Sequence, residues 1–131
     1  MRLNQITIAC TDYVASVKFY QTIGLRLIVN SPGRYARFEC PAQNAADDPP
    51  TLSLHQVSED TPIGETVIYL ETSDVDADFA AWVQAGLVPE KPPIDQSWLW
   101  REAYFKDPAG NRVCLYHAGE NRRFPPWRVA G

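Results

Sequence analysis

A histidine, two glutamates and a group of aromatic side chains fall where strand alternation brings side chains to shared faces. His55 lies in the run 51–57, TLSLHQV, in which Leu52 and Leu54 take one face and Ser53 and His55 the other. A single imidazole titrating near neutral pH can act as a general base or as a donor that orients a ligand. On a half-buried face it can equally be an ordinary hydrogen-bonding residue. Glu71 and Glu102 are the carboxylates that could share acid–base work with His55, or else sit at a solvent rim. These three are the candidate catalytic residues. Cys114 is a possible nucleophile, but no second histidine lies near it in the strand pattern to lower its pKa, and a small buried apolar role is the competing reading.

The aromatic residues Tyr69, Trp98, Trp100, Tyr104 and Tyr116 suggest binding rather than bond-making. Rings at strand positions usually belong to a core. The core face of the stretch 99–116 is already supplied by Leu99, Ala103, Phe105, Val113 and Leu115, with Arg101 as one polar exception. Alternation therefore sends Trp100, Glu102, Tyr104, Cys114 and Tyr116 to the opposite face. Stacking and cation–π contacts there could hold a planar or cationic ligand, or the face could be buried between subunits.

The element that must position these residues is a hairpin. Strand-like runs at Leu99–Phe105 and Arg112–Tyr116 flank Asp107-Pro-Ala-Gly-Asn111, where Pro presets φ and Gly and Asn tolerate positive φ. Earlier in the chain, residues 3–9 alternate as a strand, with Leu3, Gln5, Thr7 and Ala9 on one face. Asp12 can cap a helix whose Tyr13, Val17 and Tyr20 recur at helical spacing, and Gly24 ends it. Strands follow at Leu25–Asn30 and Tyr35–Cys40, joined by Ser31-Pro-Gly-Arg34 in a type II turn. Pro41–Pro50 has loop composition, and residues 51–57 form the fourth strand.

The pattern then restarts. Thr66–Thr72 reads as a strand, Asp74 caps a helix carrying Val75, Phe79 and Trp82, and Gly86-Leu87 ends it. A Pro-rich loop at Pro89–Pro93 leads into the hairpin. Asp12 and Asp74, Gly24 and Gly86, and Leu25 and Leu87 share one offset of 62 residues. The expected fold is α+β: two tandem βαβββ modules forming a cupped mixed sheet, with a helix on the outer face of each. The modules are expected at 1–60 and 61–118, with a tail at 119–131 rich in Pro and Arg.

Composition narrows the function classes. A chain of 131 residues with 45% hydrophobic and 21% charged residues suits one globular domain or two small modules sharing a core. A net charge of −4 without a basic stripe argues against nucleic acid as a partner. No apolar run reaches membrane-spanning length, and the start does not resemble an export signal. Three cysteines without paired spacing fit a reducing, cytoplasmic setting.

With these features assembled, the sequence resembles the vicinal oxygen chelate superfamily, which includes glyoxalase I, bleomycin-resistance proteins and extradiol dioxygenases. The matching residues are Thr11-Asp12, Ser16, Phe19-Tyr20, Gly24-Leu25 and the Asp107-Pro-x-Gly-Asn111 turn. The resemblance implies up to four metal-ligand positions, which here are Gln5, Ser53, Val67 and Cys114. Ser is a poor ligand and Val is none, so the usual chelate is absent from the expected site. The resemblance then implies a binder of the bleomycin-resistance type, without cofactor, taking a small aromatic or amphipathic molecule. Its ligand-binding residues would be Gln5, Thr7, Ser53, His55, Tyr69, Trp100, Tyr104, Cys114 and Tyr116. The alternative is a lyase, isomerase or dioxygenase that keeps a divalent metal at a non-standard site around Gln5 and His55. Family members commonly pair, so a homodimer is expected in either case.

Overall fold

A computed structural model describes residues 1–41 and 48–131. Most of the loop expected at Pro41–Pro50 lies outside the described residues. The elements run β1 (Gln5–Cys10), α1 (Tyr13–Thr22), β2 (Arg26–Ser31), β3 (Tyr35–Glu39), β4 (Thr51–Gln56), β5 (Val67–Glu71), α2 (Val75–Gln84), β6 (Pro89–Asp95), β7 (Arg101–Lys106) and β8 (Arg112–His117). A short 3₁₀ turn, Gly119–Arg122, follows. Two four-stranded mixed sheets result, ordered β1-β4-β3-β2 and β5-β8-β7-β6. This is the expected α+β architecture of two βαβββ modules. Among the described residues, no helix is long and apolar enough to cross a membrane.

The sequence repeat extends to individual hydrogen bonds. Asp12 accepts from the Ala15 amide at 3.0 Å and Asp74 from the Ala77 amide at 3.0 Å, so each helix starts with the same side-chain cap. Each ends alike. Gly24 and Gly86 both sit at φ 100°, and Leu25 and Leu87 donate back to Tyr20 and Trp82, the Schellman pattern that satisfies orphan carbonyls. Glycine suits that positive φ because a Cβ is disfavoured there.

Chain contacts define two compact units: Met1–Thr66 with Asp107–Asn111, and Val67–Lys106 with Arg112–Gly131. In the first, Ile8, Ala36, Phe38, Leu52 and Leu54 bury one sheet face under Tyr13, Phe19 and Tyr20 of α1. Tyr20 packs on Phe38 with ring centroids 5.8 Å apart. The Asp107–Asn111 turn belongs to this unit because Asn111 donates to the Ala9 carbonyl at 2.9 Å and Asp107 accepts from Tyr20. The Ser31–Arg34 turn closes as expected, with Gly33 at φ 71° and Arg34 donating to Ser31 at 3.0 Å.

In the second unit, Ile68, Ala103, Phe105, Val113 and Leu115 form the buried sheet face. Phe79 and Trp82 of α2 pack on Phe105 at 5.5 and 5.2 Å. Three sequence expectations need correction here. Pro89–Pro93 is not a loop but most of β6, which tolerates its prolines because it is an edge strand, and its register is irregular. Leu99 does not join the core face: it is 49% exposed and adopts φ 68° in the turn before β7, which starts only at Arg101. Trp98 lies in that same turn rather than on a strand. Arg101, the polar exception, is held by Asp76 and Asp95 at 2.8 and 3.1 Å.

Candidate functional site

Because α2 covers Phe105, alternation puts Tyr104 and Glu102 on the opposite face of the second sheet, where Cys114, Tyr116 and Ala118 form a buried cluster with Val67, Trp100 and Tyr104 packed against it. Cross-strand register then sets the neighbours. Tyr116 of β8 pairs with Glu71 of β5 on one side and Glu102 of β7 on the other. One step along, Cys114 pairs with Tyr69 and Tyr104. The turn residue Trp100 stacks on Tyr116, with centroids 4.7 Å apart and planes at 22°. Tyr69 meets both rings edge-on, at 6.0 Å from Trp100 and 5.6 Å from Tyr116, and remains 48% exposed. A half-exposed phenol at the edge of a stacked pair leaves aromatic surface for a ligand.

Glu102 lies beneath this group with 3% exposure. Trp98 Nε1 donates to one of its oxygens at 2.7 Å and Tyr104 Oη to the other at 2.9 Å. Both donors are neutral. Burial, reinforced by the bond to Glu102, pushes the Tyr104 phenol well above the usual range, so it remains a donor at neutral pH. Burial also pushes the Cys114 thiol up to about 12, against a smaller lowering by Tyr104. Cys114 is therefore a thiol at neutral pH and a poor nucleophile. Burial raises Tyr116 to about 12 as well, helped by the charge of Glu71. Glu71 itself is exposed and meets Arg122 at 3.7 Å.

The first unit carries the other expected site residues on the open face of its sheet. Gln5, Thr7, Ser53 and His55 share that face, with Gln5 opposite Thr51, Thr7 opposite Ser53 and His55 opposite Ala9. Gln5 Oε1 accepts from Thr51 at 2.8 Å. Ser53 is fully buried and bonds the Tyr35 hydroxyl at 2.7 Å, which in turn accepts from Arg37 Nε at 3.0 Å. These bonds from Ser53 and Arg37 hold the Tyr35 phenol below its usual range. Tyr35 and Arg37 were not expected as site residues. Alternation in β3 was enough to place them on the polar face, but their link to Ser53 depends on the β3–β4 register, which no local motif encodes.

The register does not bring together Gln5 and His55, the pair expected at a non-standard metal site. Four strand positions separate Thr51, the partner of Gln5, from His55. That is about 13 Å along the strand, too far for Gln5 and His55 to share one ion. Gln5 and Ser53 are engaged in other hydrogen bonds, Val67 has no donor, and Cys114 is buried among Tyr116, Ala118, Val67, Trp100 and Tyr104. Among the described residues no cluster of three His, Cys, Asp or Glu is suited to a metal. The side chains present do not fit the family's chelated ion.

Paired βαβββ units, each covering one sheet face with its own helix, define the class as an α+β protein with a doubled glyoxalase-type fold. The chain belongs to the Glyoxalase/Bleomycin resistance protein/Dioxygenase superfamily, whose model matches residues 2–115. It is similar in structure to a glyoxalase/bleomycin resistance protein/dioxygenase from Nocardioides, with TM-score 0.75 and 24% identity, covering 99% of this chain and 90% of that one. TnmS3, an antibiotic binding protein from Streptomyces sp. CB03234, aligns with TM-score 0.67 and 29% identity over 90% of this chain and 96% of its own. A lactoylglutathione lyase from Agrobacterium tumefaciens gives TM-score 0.72 and 20% identity, covering 94% and 97%. No curated protein matches the chain significantly.

Proposed function

We propose that this protein binds a small planar aromatic or amphipathic molecule at the exposed aromatic edge of the face opposite α2, around Tyr69, Trp98 and Trp100, without a metal. The stacked Trp100–Tyr116 pair, with Tyr69 half exposed at its edge, carries this reading. Aromatic surface on a face that the helix does not need is suited to stacking a ligand ring. Trp98 and Tyr104, anchored on Glu102, keep the surrounding side chains in one arrangement. The likeness to TnmS3, described as an antibiotic binding protein, supports a binding role for this chain.

Calorimetric titration with a panel of neutral bicyclic aromatics, 2-naphthamide among them, tests the proposal. Saturable one-to-one binding that is lost in Trp100→Ala is expected. No saturable binding by any member, or binding unchanged by that substitution, overturns it.

The enzyme alternative draws on family membership and on the likeness to a lactoylglutathione lyase. The donor set argues against it. If it held, His55→Ala would remove a stoichiometric divalent ion from protein purified without chelator. Under the binding proposal the metal content of the two proteins is the same.

A further inference from the structure

We infer that the ligand of the aromatic face carries a positively charged ammonium group, and that Glu102 selects for it. The inference rests on the binding role proposed above and adds the charge of the bound molecule. Its basis is an imbalance. Glu102 is 3% exposed, yet its two oxygens are held only by the indole N–H of Trp98 and the phenol of Tyr104. Among the described residues it forms no ion pair, whereas Glu71, on the other flank of Tyr116, meets Arg122 at 3.7 Å.

Neutral donors satisfy the lone pairs of a carboxylate but leave its net charge in place. A buried charge is usually paired, because water no longer screens it. The field of Glu102, which no ion-paired partner offsets, falls on its cross-strand neighbour Tyr116 and on Trp100 stacked against that ring. Aromatic faces attract cations in the same sense, through the ring quadrupole. Carboxylate and rings therefore favour one kind of group: an ammonium, from primary to quaternary, seated against Tyr69 and the accessible part of Trp100, with Tyr116 buried behind them. The face already holds one cation in this way, since Lys91 Nζ lies 5.4 Å from the Tyr104 ring centroid. Lys91 serves Tyr104, leaving Tyr69 and Trp100 for a ligand. Being buried, Glu102 acts through its field and through the rings it anchors, as a specificity-determining residue without direct contact.

The test is a charge series on one scaffold: 2-naphthylmethyl-trimethylammonium, its uncharged tert-butyl isostere, and 2-naphthylacetate, titrated by calorimetry. In the native protein the ammonium is expected to bind at least tenfold more tightly than the isostere, and the acetate most weakly. Glu102→Gln keeps the shape and is expected to reduce the preference for the ammonium over the isostere to less than threefold. Equal binding of ammonium and isostere, or tighter binding of the acetate, overturns the inference and leaves the binding role intact. A preference that persists undiminished in Glu102→Gln also overturns it. If no member binds, the binding role fails and the inference with it. Should Glu102→Gln not fold, the order of the three ligands on native protein decides alone.

Discussion

Tyr20 donates a hydrogen bond of 2.7 Å to Oδ2 of Asp107, 87 residues further along the chain, and both residues are buried. The same carboxylate accepts from the amides of Ala109 and Asn111 and from Asn111 Nδ2. One side chain thus shapes the turn before β8 and fixes it to α1. Burial next to that negative charge pushes the Tyr20 phenol far above its ordinary range. Tyr20→Phe removes one hydrogen bond to a buried charge, for which a loss of about 1.5–3 kcal/mol is expected in urea denaturation. Asp107→Ala orphans several donors at once and is expected to cost more. An unchanged urea midpoint in Tyr20→Phe would show that the bond contributes nothing net.

The doubled helix caps predict a doubled result. Asp12→Ala and Asp74→Ala each remove the same side-chain bond to the third amide of their helix. Each is expected to lower stability by about 1 kcal/mol. Asn at either position preserves the cap, and its variant should keep native stability to within a few tenths of a kcal/mol in the same denaturation experiment.

The two faces of the second sheet should respond differently to truncation. Phe105 is fully buried and contacts both Phe79 and Trp82, so Phe105→Ala should cost about 3–5 kcal/mol. Tyr69 on the opposite face is 48% exposed, so Tyr69→Ala should cost about 1 kcal/mol or less in stability while weakening ligand binding. Thermal melts and ligand titrations of the same two variants separate the roles. A comparable loss of stability in both would mean that Tyr69 serves packing as much as Phe105 does.

Alkaline pH should weaken the fold through Cys114 and Tyr116. Folding raises the thiol from 9.0 and the phenol from 10.0, each to about 12. Between those limits the native chain retains protons that the unfolded chain has released, so stability is complete below pH 9 and declines as pH rises towards 12. Urea midpoints at pH 8, 9, 10 and 11 measure this decline. Cys114→Ser removes the thiol contribution and should make the decline shallower. Iodoacetamide should leave Cys114 of the native protein unmodified at pH 8.

Some features of this molecule were determined by local sequence alone. Asp12 and Asp74 cap helices, Gly24 and Gly86 end them, and Asp107-Pro-Ala-Gly-Asn111 turns the chain. Each of these rests on interactions within about five residues, so spacing was sufficient to read them. Alternation likewise assigned Tyr104, Cys114 and Tyr116 to the face opposite Phe105. What depended on distant partners was not legible. Pro89–Asp95 becomes a strand only because β7 offers it an edge, and Leu99 leaves its apolar pattern because the chain must turn into β7. Register also separated Gln5 from His55 and joined Ser53 to Tyr35. Only tertiary structure left Glu102 buried with no ion pair among the described residues, because its donors come from a turn and a strand whose geometry is set by pairing across the sheet.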